Sequence, residues 1–267
     1  MTIREIQAID VHAHYGDYIR ADATVRSNGF LSADAATVVR RATQCNTEIT
    51  VVSPLSGLLP RGGSDAGRGN EEAARIVPET PGLRQWVIID PSRPATFAQA
   101  ARMLQLPHCV GIKIHPEEHV YHIRDHGRAI FDFAATHDAV VLTHSGEQNS
   151  LPADYLPFAD EFPEVTLILA HIGCGFDGDR THQVRAVSRS RHGNIYADTS
   201  SIFSMLPRLI EWAVAEVGAD RVLYGTDTPL YLAAMQRARI DNAELSDEAK
   251  RTILRDNAER ILDLQLG

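Results

Sequence analysis

Four apolar runs between residues 9 and 227 each end on a side chain that can bind a metal. They are residues 9–14 (IDVHAH), 140–144 (VVLTH), 167–171 (LILAH) and 222–227 (VLYGTD). An apolar run of this length, bounded by turn residues, is typical of a buried strand. Such ends can meet only if the strands lie side by side, which is how a parallel barrel assembles its active site.

Strand-like and helix-like segments alternate along the chain, which predicts parallel strands joined by helical crossovers. Eight such units in 267 residues fit a closed barrel. We therefore expect an α/β fold, a (β/α)8 TIM barrel in a single domain over residues 1–267, with extra helices at the C-terminal end. Strands are predicted near residues 7–14, 48–53, 84–90, 109–115, 139–144, 165–171, 194–199 and 222–227. Helices are predicted near residues 33–45, 70–78, 94–105, 125–137, 152–161, 179–190, 207–217, 230–238 and 246–264, with Ser32 and Ser246 as the N-caps of the first and last.

The charge balance limits the partners of the chain. Lys and Arg total 26 against 35 Asp and Glu, a formal charge of −9, whereas nucleic acids and anionic membranes favour a basic face. No run of about 18 apolar residues is present, and the N-terminus lacks the apolar core of a signal peptide. We expect a cytoplasmic protein with no nucleic-acid or membrane partner. The sequence does not decide whether the protein forms a homo-oligomer. Cys45, Cys109 and Cys174 are widely spaced, which predicts free thiols.

The four strand ends predict a metal site, because residues two apart in a strand point to the same face. Two imidazoles at that spacing can bind one cation. Taken singly, each His is more ordinarily a hydrogen-bonded core residue, and Asp227 a helix cap. Taken together, four His and one Asp at one barrel mouth would leave costly buried polar groups unless they hold a metal. The predicted same-face sets are Asp10 with His12 and His14, Leu142 with His144, Leu169 with His171, and Gly225 with Asp227.

The fourth predicted strand carries Lys113 and His115 on one face. A lysine inside a strand is costly to bury unless it is paired. Lys113 could meet a substrate carboxylate, neutralise a nearby acid, or become a carbamate that bridges two metals. A salt bridge to Asp10 or Asp198 inside the barrel is the purely structural alternative.

At these positions the chain resembles the amidohydrolase superfamily, in particular its amidohydrolase-2 branch of metal-dependent hydrolases and decarboxylases. The resemblance implies a distorted (β/α)8 barrel with a divalent metal, usually zinc, at its C-terminal mouth. It covers essentially the whole length and rests on residues 10–14 (DVHAH), 111–116 (GIKIHP), 142–144 (LTH), 170–173 (AHIG), 224–229 (YGTDTP) and 257–262 (NAERIL).

The resemblance also implies roles for single residues. His12, His14, His144 and Asp227 match the ligands of a first metal ion. Lys113 and His171 match residues that hold a second ion in two-metal members. In one-metal members the residue matching His171 faces water or substrate instead, so the sequence leaves one ion and two ions both open.

This site favours hydrolysis of an ester, lactone or amide bond in a small organic acid. A divalent ion lowers the pKa of its bound water from near 15.7 to about 7. Asp227 would then take the proton of that water, and His171 would stabilise the oxyanion. Asp10 would hold a ligand imidazole through its second nitrogen, or simply bond to the strand end. Predicted substrate-binding residues are Lys113, His115 and Arg61.

The same ligands also suit metal-dependent, non-oxidative decarboxylation of a small carboxylic acid, including aromatic acids. There His171 would protonate the carbon that loses carbon dioxide. A third class is indicated by residues 173–178 (GCGFDG), which match the dinucleotide-binding pattern after a strand, with Asp198 about twenty residues further on. His171 at the end of that strand, and five preceding βα units, make this the weaker interpretation.

Residues 56–70 are rich in glycine and polar side chains, and we predict a long loop outside the core that could act as a lid. Arg61 or Arg68 could clamp a substrate carboxylate, since guanidinium pairs bidentately with that group. Solvated charges on a mobile loop are the alternative. The other candidate pocket residues follow the first strand: Tyr15, Asp17 and Tyr18.

Overall fold

The computed structural model describes residues 3–264, so both ends of the predicted 1–267 domain lie outside the described residues. Eight parallel strands form one sheet in the order of the chain. The strands are β1 (Ala8–Tyr15), β2 (Thr47–Pro54), β3 (Leu83–Ile88), β4 (Cys109–Ile114), β5 (Val141–Thr143), β6 (Leu167–Leu169), β7 (Ile195–Asp198) and β8 (Val222–Leu223).

Backbone hydrogen bonds close this sheet into a barrel. The amide of Val11 donates to the Tyr224 carbonyl at 3.0 Å, and the amide of His14 donates to the Thr228 carbonyl at 2.6 Å. These bonds join β1 to the segment that follows β8. The predicted (β/α)8 barrel is therefore confirmed.

Helices connect the strands and cover the barrel. They are α1 (Val25–Phe30), α2 (Ala35–Gln44), α3 (Ala66–Ile76), α4 (Ala95–Met103), α5 (Ile123–Thr136), α6 (Leu156–Glu161), α7 (His182–Ser188), α8 (Leu209–Val217), α9 (Ala233–Asp241), α10 (Asp247–Arg251) and α11 (Asn257–Ile261). A π-helical turn, Thr252–Asp256, links the last two helices. None of the helices within residues 3–264 is long and apolar enough to cross a membrane.

The N-cap of α2 differs from the predicted residue, and the N-cap of α10 agrees with it. The side chain of Asp34 accepts from the Thr37 amide at 2.7 Å and caps α2. Ser32 was predicted for this position, which is wrong, because its hydroxyl accepts from the Tyr18 amide instead. Ser246 does cap α10, by accepting from the Ala249 amide. The short α1 was not predicted.

Residues 56–70 are less loop-like than their composition predicts. Helix α3 already begins at Ala66. Leu55, Leu58 and Leu59 are buried with Ala66 and Ile88 in one apolar cluster. The prediction of a long loop outside the core is therefore wrong, because the leucines between the polar residues anchor the segment against β3.

Two apolar layers hold the barrel together. The inner layer includes Ile9, Leu142 and Leu223, and Ala258 of α11 packs against it. The outer layer joins strand residues such as Ile112 to the surrounding helices. The three cysteines are free thiols, as predicted.

Gly111 of β4 lies where no side chain fits. A Cβ atom built on it would lie 2.4 Å from the Val140 carbonyl oxygen and 2.6 Å from the Trp86 ring. We expect Gly111→Ala to lower the free energy of unfolding by about 3 kcal/mol, because backbone must move to relieve the overlap. Urea denaturation measures this change. In Gly29→Ala, by contrast, the new Cβ meets nothing within 4 Å, so that variant should lose no stability; equal losses in both variants would contradict the packing argument.

Candidate active site

His12 and His14, near the end of β1, both direct their imidazole rings toward Asp227. His12 Nδ1 donates to Asp198 Oδ2 at 3.0 Å, and His14 Nδ1 donates to the Ser53 carbonyl at 2.9 Å. The opposite nitrogens then face Asp227, whose Oδ1 lies 3.7 Å from His12 Nε2 and 3.1 Å from His14 Nε2. Such bonds to the far nitrogen fix the tautomer and orientation of a metal-ligating His.

These three side chains fit a divalent metal ion. All three are buried, and their ligand atoms lie within 4.8 Å of one another. Two imidazoles and a carboxylate form a donor set that suits zinc and other first-row divalent ions. The structure therefore brings together three of the four predicted first-site ligands.

Asp227 is ionised at neutral pH. Burial raises the pKa of its carboxyl, but the adjacent imidazoles of His14, His171 and His12 have the larger combined effect and lower it to about 2. A carboxylate that stays charged while buried is suited to holding a cation or accepting a proton.

Lys113 points into the same site from β4. Its Nζ donates to His12 Nε2 at 2.9 Å, and the side chain is fully buried. Burial lowers the pKa of Lys113 to about 8, against the opposing effect of Asp198 and Asp227. Its bonding partner is thus a predicted metal ligand rather than the carboxylate of a salt bridge to Asp10 or Asp198.

His144 lies beside this cluster, in a chain of hydrogen bonds. Its Nε2 lies 2.9 Å from Glu147 Oε1, and its Nδ1 lies 3.0 Å from His171 Nε2. His171 Nδ1 in turn donates to the Ser200 carbonyl at 3.1 Å, so both partners of His144 are acceptors. The role of His144 as a metal ligand stays a prediction.

The left-handed backbone of His171 directs its side chain into the site. Leu169 belongs to the outer apolar layer, whereas Ile168 and Ala170 belong to the inner one. The predicted shared face of Leu169 and His171 is therefore wrong, because His171 adopts a positive φ of 72° that interrupts the alternation. Its side chain joins a second possible ligand group, with His12 and Asp198. Burial lowers the pKa of His171 to about 4.

Asp10 does not contact an imidazole. Its carboxyl accepts from the His12 amide at 3.1 Å, and from the amide and hydroxyl of Thr226 at 3.0 and 2.6 Å. The register of β1 against β2 shifts between Asp10 and Ala13, so the predicted shared face of Asp10 and His12 is wrong. Asp10 was predicted either to hold a ligand imidazole or to form hydrogen bonds at the strand end, and it does the second. The imidazole of His12 is held by Asp198 instead.

The cluster lies at the bottom of a pocket of about 210 Å³. One wall is apolar and consists of Leu55, Leu58, Leu59 and Leu230. His115 also lines the pocket, and its ring stacks on His144 with the ring centres 4.1 Å apart and the planes at 11°. The pocket thus combines an apolar surface with a polar, imidazole-rich one.

Of the remaining residues predicted to line the pocket, only one does so among the described residues. Tyr18 lines the pocket, whereas Tyr15 is buried in the apolar layer beneath α2 and α3, and Asp17 is exposed. Arg61 bonds to Glu118 rather than lining the pocket. Arg68 lies in α3 and lines a separate cavity together with Glu71 and Glu72.

The glycine pattern at residues 173–178 has a local structural reason. A Cβ on Gly175 would lie 2.0 Å from the Asp179 carbonyl oxygen, so the loop packs against itself. Asp198, the expected ribose-binding acid of that pattern, instead accepts from His12 Nδ1 and from the His171 amide. Asp198 therefore belongs to the candidate metal site, and Gly175 allows the loop to pack closely.

Sequence reasoning missed several residues of the site. Ser200 contacts the ring nitrogens of both His12 and His171 at 2.9 and 2.8 Å. Glu147 follows His144 by three residues, a spacing that could have indicated it. Arg20 lines the pocket as well, and no sequence signal marks it.

A parallel barrel with His and Asp side chains converging at the carboxyl ends of its strands defines a class of metal-dependent barrel enzymes. A sequence model of the amidohydrolase family matches residues 9–264. The chain therefore belongs to the amidohydrolase family. No curated protein sequence matches the chain.

Solved structures with the same fold include enzymes of two reaction types. A dihydroxybenzoic acid decarboxylase from Polaromonas sp. JS666, with bound manganese and 2-nitroresorcinol, superposes with a TM-score of 0.76 at 15% identity, covering 100% of this chain and 98% of that one. For 5-carboxyvanillate decarboxylase from Sphingomonas paucimobilis the values are 0.73, 15%, 97% and 100%. A Pseudomonas putida protein that carries the name of 2-pyrone-4,6-dicarboxylic acid hydrolase gives 0.67, 16%, 98% and 99%. At these identities the likeness establishes the fold.

Proposed function

We propose that this protein is a metal-dependent, non-oxidative decarboxylase of a small carboxylic acid, with aromatic acids as the preferred class. The observation that carries the proposal is the pocket, whose lining combines four leucines and several imidazoles with the buried His12, His14 and Asp227 cluster. Such a pocket suits a flat acid with an apolar body. The decarboxylase names of two structural neighbours support the same choice.

In this proposal His12, His14 and Asp227 hold the metal ion, either zinc or manganese, with His144 as a further candidate ligand. When bound, the ion supplies electrostatic stabilisation of the substrate oxygens. The carbon–carbon bond to the carboxylate breaks, carbon dioxide leaves, and the electron pair left on the ring carbon takes up a proton. His115 lines the space in which the acid would bind, whereas Lys113 is fully buried and bonds to His12.

We assign that proton to His171. Its Nε2 shares a hydrogen with His144 Nδ1 across 3.0 Å, and the low pKa of His171, a result of burial, makes its protonated form a strong acid. His144 can resupply the proton, since Glu147 at the half-exposed pocket edge pairs with its other nitrogen. Proton transfer from a positioned side chain typically contributes about 10²–10⁴ in rate.

Hydrolysis is the second candidate, and the ionised Asp227 favours it. Its carboxylate could take the proton of an attacking water, as the sequence analysis predicts, because its pKa is lowered to about 2. The Pseudomonas putida neighbour is named for a hydrolytic reaction. The same side chains serve both reactions, so only the product distinguishes them.

Product analysis tests the proposal directly. The protein, loaded with Mn²⁺ or Zn²⁺, is incubated with a panel of hydroxylated benzoates and of lactones in D₂O. Decarboxylation releases carbon dioxide and leaves deuterium on the carbon that lost the carboxyl group. A new carboxylate formed from a lactone, with no carbon dioxide from any acid, would instead establish hydrolysis.

Replacing His171 should separate proton transfer from metal binding. In His171→Asn we expect carbon dioxide release to fall by about 10²–10⁴, because the carbon loses its proton donor. Metal content, measured by elemental analysis, should stay unchanged, since His12, His14 and Asp227 remain. His182→Asn, which alters an imidazole paired only with the exposed Asp177, is the control. Full activity of the His171 variant would remove the assigned role.

A further inference from the structure

The pocket contains one guanidinium group among the described residues that line it. Arg20, on the segment between β1 and α1, lines the pocket together with Tyr18 and Glu118. Its Nη2 donates to Glu118 Oε1 at 2.7 Å, and its Nε donates to the Tyr18 hydroxyl at 3.2 Å. Its Nη1 has no hydrogen-bond acceptor within residues 3–264, so the held side chain keeps a free donor.

Glu118 does not neutralise Arg20 fully, because a second arginine shares its carboxylate. Arg61 donates to Glu118 through Nε at 3.3 Å and through Nη2 at 3.0 Å. Glu118 is buried, with 4% of its surface exposed. Arg61 also lies 4.0 Å from Glu147 Oε2, and Arg20 is the member of the pair that lines the pocket.

The Arg20 guanidinium and the cluster of His12, His14 and Asp227 line one pocket, together with several leucines. An acidic group on the substrate could therefore meet Arg20 while another meets the cluster and the apolar body lies along the leucines. Arginine is well suited to this role, because its planar fork binds carboxylates bidentately and stays charged at all relevant pH values.

We propose that Arg20 is a specificity-determining residue that binds a second carboxylate of the substrate, so that the preferred substrates are small diacids rather than monoacids. Glu118 and Arg61 act as positioning residues that hold Arg20 in place. The inference rests on the proposed function only in placing the substrate in this pocket. It applies to a hydrolase of small acids in the same way.

Ligand binding tests this inference without relying on turnover. Isothermal titration calorimetry on the metal-loaded protein compares benzoate with benzene-1,3-dicarboxylate and benzene-1,4-dicarboxylate. We expect at least one diacid to bind about 10-fold or more tightly than benzoate, as for a charge-assisted hydrogen bond. Arg20→Gln should remove this gain and leave benzoate binding unchanged. Arg20→Lys, which keeps the charge but loses the fork, should retain part of the gain.

Arg26→Gln, which removes an exposed guanidinium of α1, is the matched control and should keep the diacid gain. Several results would overturn the proposal: no diacid gain in the unmodified protein, equal weakening of benzoate and diacids in Arg20→Gln, or loss of the gain in Arg26→Gln. Thermal midpoints of all variants show whether a loss of binding reflects unfolding. Failure of the decarboxylase proposal appears separately, as the absence of carbon dioxide release.

Discussion

Asp227→Asn should reduce turnover by about 10⁴ or more, the largest loss that we expect from a single conservative substitution. The variant keeps the shape of the side chain but removes its charge. That charge lies 3.1 Å from His14 Nε2 and faces His12 Nε2 at 3.7 Å. The variant therefore loses both the anionic member of the ligand group and the group able to accept a proton, and acid–base assistance alone is typically about 10²–10⁴.

Steady-state kinetics and elemental analysis of the same preparation measure this effect. Asp17→Asn is the control, because Asp17 is an exposed carboxylate on the segment after β1, and it should leave both values unchanged. If Asp227→Asn retained turnover with a full complement of metal, Asp227 would have no catalytic role.

Removing the metal should abolish activity and lower thermal stability together. A ligand that binds only the folded state stabilises it by about 4 kcal/mol at a thousand times its dissociation constant. For a chain of this length that corresponds to a rise in the unfolding midpoint on the order of 10 °C when ion is restored to chelator-treated protein. Differential scanning calorimetry, with Zn²⁺ and Mn²⁺ titrated separately, also shows which ion binds more tightly.

His14→Gln provides the comparison for this experiment. The variant lacks one imidazole of the His12, His14 and Asp227 group, so added ion should raise its midpoint far less than that of the unmodified protein. A midpoint and an activity that do not respond to chelator or to added ion would argue against a metal at this position.

The barrel could be predicted from the sequence because its signal is repeated. Each strand has an apolar run and each crossover a helical pattern, so an error at one element does not alter the architecture. The metal-type residues at the strand ends were predictable for the same reason. His12, His14 and Asp227 converge because parallel strands bring their carboxyl ends to one edge.

The details that failed depend on local geometry that the sequence pattern does not encode. The register shift in β1 moves Asp10 away from the imidazoles, and the positive φ of His171 turns its side chain off the face of Leu169. Contacts between loops that are far apart in the sequence could not be predicted either. Arg20 and Arg61 meet only at Glu118, far along the chain from both, and no spacing in the sequence indicates that meeting.

His171 and Asp227 both have left-handed backbones, with φ of 72° and 56°. A non-glycine residue in this region costs about 1–2 kcal/mol relative to its ordinary conformations. The fold thus holds two of its reactive side chains on strained backbone, at a cost that glycine would not incur. Glycine at these two positions would relieve the strain only by deleting the side chains themselves, so the strained backbone persists as a cost of the chemistry.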